Sequence, residues 1–154
     1  MRHILVFISL LSVSACAAPG WFRTHAVGLQ KGQLQPCPKA PRCLSSDMAK
    51  TSARHHQGFG VAKTMSNTEW QAIVESVAQM ERTAVVTTSS HYLHAVISSP
   101  WGWYEDDLEL HWRPQDAHIA IRSSGRIGWY DFKVNQKRVT KLRERLLARG
   151  LIKP

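Results

Sequence analysis

The sequence predicts an α+β fold: a four-stranded antiparallel meander with two helices packed on one face. Three observations predict it. Between positions 83 and 124, β-branched or alternating runs recur four times, the pattern of half-buried strands. On either side, near 67–82 and 133–148, apolar residues repeat at helical spacing. The links within the strand region are short and hold turn formers such as Trp101-Gly102 and Pro114-Gln115, which favour antiparallel neighbours over crossovers.

The chain opens MRHILVFISLLSVSACAAPG. One firm positive charge, Arg2, precedes an apolar run of roughly ten residues, where a membrane-spanning helix needs about twenty. Ser14-Ala15 and then Cys16 follow. A charged start, a short apolar core and small residues at the cut describe a secretory signal. Val13-Ser14-Ala15-Cys16 also resembles a bacterial lipobox. That resemblance implies removal of residues 1–15 and diacylglycerol attachment to Cys16. Two or three acyl chains, at about 0.8 kcal/mol per buried methylene, hold a protein on a membrane almost permanently. Ala17 follows the cysteine, not the aspartate associated with inner-membrane retention, so the resemblance favours the periplasmic face of an outer membrane. An ordinary secretory signal cut nearby is the competing reading. The expected organisation is signal 1–15, membrane tether 16–35, and a single α+β domain 36–154. The tether reading rests on missing periodicity, with Trp21-Phe22 placed at the lipid interface.

Composition agrees with one exported domain. The chain has 154 residues and a formal charge of +9, enough for a single core. A basic surface suits nucleic acid, but an exported chain meets lipid phosphates and lipopolysaccharide instead. No nucleic-acid partner and no cofactor are expected. Three cysteines leave Cys37 and Cys43 once Cys16 carries lipid. In CPKAPRC, a disulfide is the default for an oxidising compartment and stabilises by roughly 2–2.5 kcal/mol on the loop-entropy model. A redox pair or half a metal site are the rivals, though the spacing is not CxxC and no second pair exists.

After an irregular connection over 50–63, with His55-His56 and Gly58-Phe59-Gly60, a first helix is expected from near Asn67. Ser66-Asn67-Thr68-Glu69 offers a cap and an acidic first turn. Trp70, Ile73, Val74 and Val77 share a face, and the end is expected near Glu81-Arg82. TAVVTTS at 83–89 is β-branched. In HYLHAVIS at 91–98, Leu93, Ala95 and Ile97 lie opposite Tyr92, His94 and Val96. In YEDDLELHW at 104–112, Leu108, Leu110 and Trp112 lie opposite Asp107, Glu109 and His111. In HIAIRSS at 118–124, Ile119 and Ile121 lie opposite His118 and Arg122. The last helix should run over about 133–148 with Asp131 as cap. Asn135, Val139, Leu142 and Leu146 form one face, amid Lys133, Lys137, Arg138, Lys141, Arg145 and Arg149.

Register then brings residues together. A turn at Trp101-Gly102 sets Ala95 against Leu108, His94 against Glu109 and Tyr92 against His111. A tight turn at Pro114-Gln115 sets Leu110 against Ile119 and Asp107 against Arg122, so apolar meets apolar. The outward face collects Tyr92, His94, Asp107, Glu109, His111, His118 and Arg122. Three readings compete for it: a solvated sheet face, a polar site under the 50–63 segment or the 99–104 turn, or a metal or hydrolytic site using His94, Glu109, His111 and His118. No HExxH spacing supports a metal, and none is expected. The WGW motif reads as a packed turn.

Several motifs occur together in order: Cys37-Pro38, Pro41-Arg42-Cys43-Leu44-Ser45-Ser46, Tyr92-Leu93-His94-Ala95, Asp106-Asp107-Leu108-Glu109, Arg122-Ser123-Ser124-Gly125-Arg126-Ile127-Gly128, then Asp131, Asn135 and Arg138-Val139. The set resembles the domain of unknown function 1499, over roughly 36–147. Where that pattern carries a Leu-Gly-like pair, this chain has Phe132-Lys133. The resemblance implies no particular activity or catalytic residue. It singles out residues a bare fold would not need. Arg122, Ser123, Ser124 and Arg126 precede a Gly128 turn, and Asp131 with Asn135 opens the basic helix; a helix start near serines and arginines is suited to an anion. A buried network, Asp106 or Asp107 bonded to Arg122 or Arg126, is the preferred reading of these residues.

The function expected first is a membrane-anchored envelope lipoprotein acting as a non-catalytic binding module for an anionic ligand, a lipid headgroup or a partner protein. Its binding residues would be Tyr92, His94, Asp107, Arg122, Ser124, Arg126, Asn135 and Arg138. The alternative is a periplasmic hydrolase using His94, Asp107, Glu109 and Arg122. A scaffold docking through the tryptophan-bearing turns is a third.

Overall fold

The structure, a computed structural model, describes residues 26–154. The expected signal at 1–15, the lipidation site Cys16 and the interfacial Trp21-Phe22 lie outside the described residues. No helix among the described residues is long and apolar enough to cross a membrane.

The chain runs as a hairpin of β1 (Leu29–Gln30) and β2 (Gln33–Leu34), then β3 (Cys43–Ser45), β4 (Phe59–Gly60), α1 (Asn67–Ala78), β5 (Thr83–Thr88), β6 (Tyr92–Ser98), β7 (Glu105–Arg113), β8 (His118–Gly125) and α2 (Val134–Ala148). The fold is α+β. Strands β5 to β8 form the expected meander, but the main sheet has six strands, not four. β3 and β4 both pair antiparallel with the outer edge of β8. They cover backbone groups that an edge strand would leave open. Segments of two or three residues carry no period, so neither was legible as a strand. Gly58 permits the second pairing: a β-carbon there would lie 2.3 Å from His118 Nε2 and 2.4 Å from the Ile119 carbonyl oxygen. A disulfide joins Cys37 to Cys43, tying the preceding loop to β3.

Both helices begin near their expected positions. The Ser66 hydroxyl accepts from the Glu69 amide, and the Glu69 carboxylate accepts from the Ser66 amide at 2.7 Å, a complete capping box. Helix α1 ends at Ala78, short of the expected Glu81-Arg82, because Arg82 turns into β5 with φ of 52°. Helix α2 has no side-chain cap at Lys133. Asp131, two residues further out, accepts from the amides of Lys133 and Asn135 instead.

Trp70, Ile73 and Val77 of α1 and Val139, Leu142 and Leu146 of α2 are buried with Leu93, Ala95, Leu108, Leu110, Ile119 and Ile121 of the sheet. Each such large side chain contributes roughly 1.5–3 kcal/mol. Trp70 stacks on Trp112 with ring centroids 6.0 Å apart and donates its indole N–H to the Ser89 carbonyl.

The β6–β7 register is the expected one. The β7–β8 register is shifted by two. Pro114–Asp116 forms a 3-10 turn and Ala117 a left-handed residue, so Arg113 pairs with His118 and Leu110 with Ile121. A shift of two keeps each side chain on its face and changes its neighbour. Glu109, not Asp107, therefore stands opposite Arg122.

The opposite face of the sheet is roofed from a part of the chain not expected there. The β1–β2 hairpin, from within the segment read as tether, packs β2 on β7 and β8. Its two-residue turn is Lys31-Gly32, both with positive φ, the geometry that matches strand twist. The Gly28 amide donates to the Glu109 carboxylate at 2.7 Å, and the Leu34 amide to Asp47. Asp47 in turn holds Arg113 through two hydrogen bonds.

Candidate functional site

Strand alternation puts Tyr92, His94, Asp107, Glu109, Arg122 and Ser124 on the roofed face. His94, Asp107, Glu109, Arg122 and Ser124 are all buried. Two chains of charge-assisted hydrogen bonds run through them. In the first, His94 Nε2 lies 2.8 Å from Asp107 Oδ1, Arg126 donates to both Asp107 oxygens, and Arg126 also pairs with Glu105. In the second, the Tyr92 hydroxyl donates to Glu109 Oε1 at 2.8 Å and Arg122 donates to Glu109 Oε2 at 2.5 Å. Burial alone would raise the Asp107 carboxyl pKa. Hydrogen bonds from His94 and Arg126, with the arginine's charge, outweigh it and hold the group below its ordinary value. Burial and the Glu109 carboxylate push the Tyr92 phenol far up. Arg126 is raised by its Asp107 partner.

The arrangement spends its polar groups on one another. A His–Asp pair is part of many hydrolytic sites, yet a nucleophile must stand within hydrogen-bond reach of the imidazole. Among the described residues, no hydrogen bond joins His94 to a serine, threonine or cysteine. His94, Glu109, His111 and His118 do not converge on a metal: among the described residues no group of three or more His, Cys, Asp or Glu is placed to hold one. His111 accepts from Arg113 Nε, and burial followed by the Arg113 charge lowers both His111 and His118. Among the described residues, the Nε of Arg122 is buried without a hydrogen-bond partner.

Asn135 and Arg138, the two candidate binding residues on α2, lie across the sheet. Asn135 is buried at the start of α2. Its Oδ1 accepts from Ser123 Oγ and from Arg138 Nη1, both at 2.5 Å, and its Nδ2 donates to the Arg42 carbonyl and to Asp131. Arg138 Nη2 donates to Asp106 at 2.7 Å. The motif Arg122-Ser123-Ser124-Gly125 is thus divided by alternation. Arg122 and Ser124 serve the roofed face, and Ser123 serves the helix. Gly125 leaves room where a β-carbon would come 3.1 Å from Arg42 Cδ and 3.2 Å from Asp106 Oδ1.

The exposed aromatic surface lies elsewhere. The β6–β7 turn and the link from β8 to α2 meet at one end of the sheet. Trp101 is 82% exposed, Trp103 77% and Phe132 86%, with Tyr104, Trp129 and Tyr130 also exposed. WGW is therefore not a packed turn. Exposed aromatics this numerous mark an interaction surface more often than a solvated loop. Beside them runs a trough of about 1180 Å³ along α2, with Met80, Ile97, Ile127, Val134 and Leu142 among its apolar lining and Lys133, Lys137 and Lys141 among its cations. Tyr104, Tyr130 and Phe132 share this trough with the α2 lysines, an adjacency no local stretch of sequence shows. Only the shared end of β6, β7 and β8 brings them together.

No curated protein and no solved structure matches this chain. Residues 33–146 match the model of a family described as a protein of unknown function (DUF1499), so the chain, over β2 through nearly all of α2, belongs to that family.

Proposed function

We propose that this protein is a membrane-anchored envelope lipoprotein whose domain is a non-catalytic module binding anionic lipid headgroups. The observation that carries the reading is the adjacency of an exposed aromatic end and a lysine stripe, while the candidate catalytic carboxylates are internally paired. Trp and Tyr favour the interfacial zone of a bilayer. Lysines near an anionic surface contribute about 1 kcal/mol each. Lys137 and Lys141 lie one helical turn apart on α2, and Lys133 immediately precedes the helix at the same end. Among the described residues none of the three enters an ion pair. Like charges at this spacing cost the helix a few tenths of a kcal/mol per pair, which an anionic partner offsets. Arg122 bonds to Glu109, and Arg126 to Asp107 and Glu105, so the headgroup contacts in this reading fall to the lysines.

The test is flotation of the signal-less Cys16→Ser chain with vesicles. Binding should require phosphatidylglycerol and fall as salt rises. Lys137→Glu with Lys141→Glu should weaken it at least about tenfold. Binding that ignores salt and lipid charge would refute the reading.

A further inference from the structure

The geometry points to a ligand class for the trough: the acyl chain of an anionic amphiphile, its head on the α2 lysines. This rests on the reading above and goes further, since surface docking alone needs no cavity. The trough exceeds the roughly 300–1,000 Å³ of ordinary small-molecule sites. Its lining follows α2 from Lys133 to Arg145, about 18 Å at 1.5 Å per residue. One leaflet of a bilayer core is about 15 Å thick, so an extended lipid chain fits that length.

The chemistry divides along the same line. Val134, Tyr104, Tyr130 and Phe132 are exposed apolar walls over a buried floor of Ile97 and Leu142. Cations dominate the rim, and its acids are largely engaged. Asp106 is held by Arg138, Glu81 by Arg82, and Asp131 by the amides at the start of α2, leaving Glu144. Arg145 is turned away to the Ser76 carbonyl, so the three lysines are the cations left for a headgroup. An apolar channel with a cationic margin matches a lipid better than a neutral peptide or a sugar.

Phe132 and Lys133 both take left-handed backbone, φ 53° and 63°. Non-glycine residues adopt this reluctantly. The strain displays Phe132 to solvent at the mouth of the trough and sets Lys133 at the head of the stripe.

The experiment places a photoreactive benzoylphenylalanine at Val134 in the full chain. A second chain carries it at Thr140, also on the trough wall, in case the first fails to fold. Cells are irradiated and the purified protein is weighed. The expected result is an adduct with the mass of an anionic acyl lipid, absent when the same residue replaces Val86, exposed on β5 outside the trough. Lys137→Glu with Lys141→Glu should reduce the adduct at least about tenfold. No adduct from either trough position, equal adducts at Val86, or a peptide adduct would overturn the assignment. Salt-dependent flotation without a lipid adduct would remove the trough ligand alone. Loss of flotation would remove the broader reading.

Discussion

Glu109 and Arg122 face each other across β7 and β8, 2.5 Å apart, with 0% and 1% of their respective surfaces exposed. Removing one member of such a pair strands a charge in the interior, which costs roughly 3–5 kcal/mol. Arg122→Met should therefore destabilise strongly in urea unfolding. The double variant Arg122→Met with Glu109→Gln should recover a good part of the loss. A catalytic or ligand-contacting arginine would instead give a near-native unfolding midpoint, and that outcome would remove Arg122 from the scaffold.

The Asp107 carboxyl titrates below its ordinary value in the folded state, so the unfolded chain binds its proton first as pH falls. Its contribution to stability is present above the unfolded value near pH 4 and is lost as pH falls through the lower folded value. Asp107→Asn should be less stable at neutral pH and should lose less stability than the parent between about pH 5 and pH 2. Melting curves across that range check it. Parallel acid slopes would show that the His94–Asp107–Arg126 chain contributes nothing to folding.

Lys133 occupies left-handed backbone just before α2. A side chain there costs roughly 1–2 kcal/mol, and glycine restores part of it after its own entropy loss. Lys133→Gly should raise the melting temperature by about 2–4 °C while weakening vesicle binding through the lost charge. Lys133→Ala removes the same charge but keeps the strain, so it should weaken binding without the gain. Equal melting temperatures for the two variants would show that the left-handed conformation is not what the glycine relieves.

The helices and the meander were legible because one face of each is buried against a common core. Trp70, Ile73 and Val77, and Val139, Leu142 and Leu146, repeat at the helical period. Leu108, Leu110 and Trp112 repeat at the strand period. The β7–β8 partners were not legible, because both registers place the same residues on the same faces. What chose between them was the 3-10 turn at Pro114–Asp116. β3 and β4 were illegible because strands so short show no alternation, and they pair only where β8 offers an edge.

Sequence alone determined the disulfide-bearing α+β class, the family, the Ser66 cap, the basic character of α2 and which residues share each face of β6 to β8. It did so because periodicity, composition and local motifs are written in neighbouring positions. Tertiary structure decided that the β1–β2 hairpin roofs the polar face, that Glu109 holds Arg122, that Asn135 and Arg138 belong to the opposite side, and that aromatics and lysines share one trough. Those relations join positions as far apart as Arg42 and Asn135, 93 residues along the chain. They are set by which strands end together, a property of the assembled sheet that no local stretch of chain encodes.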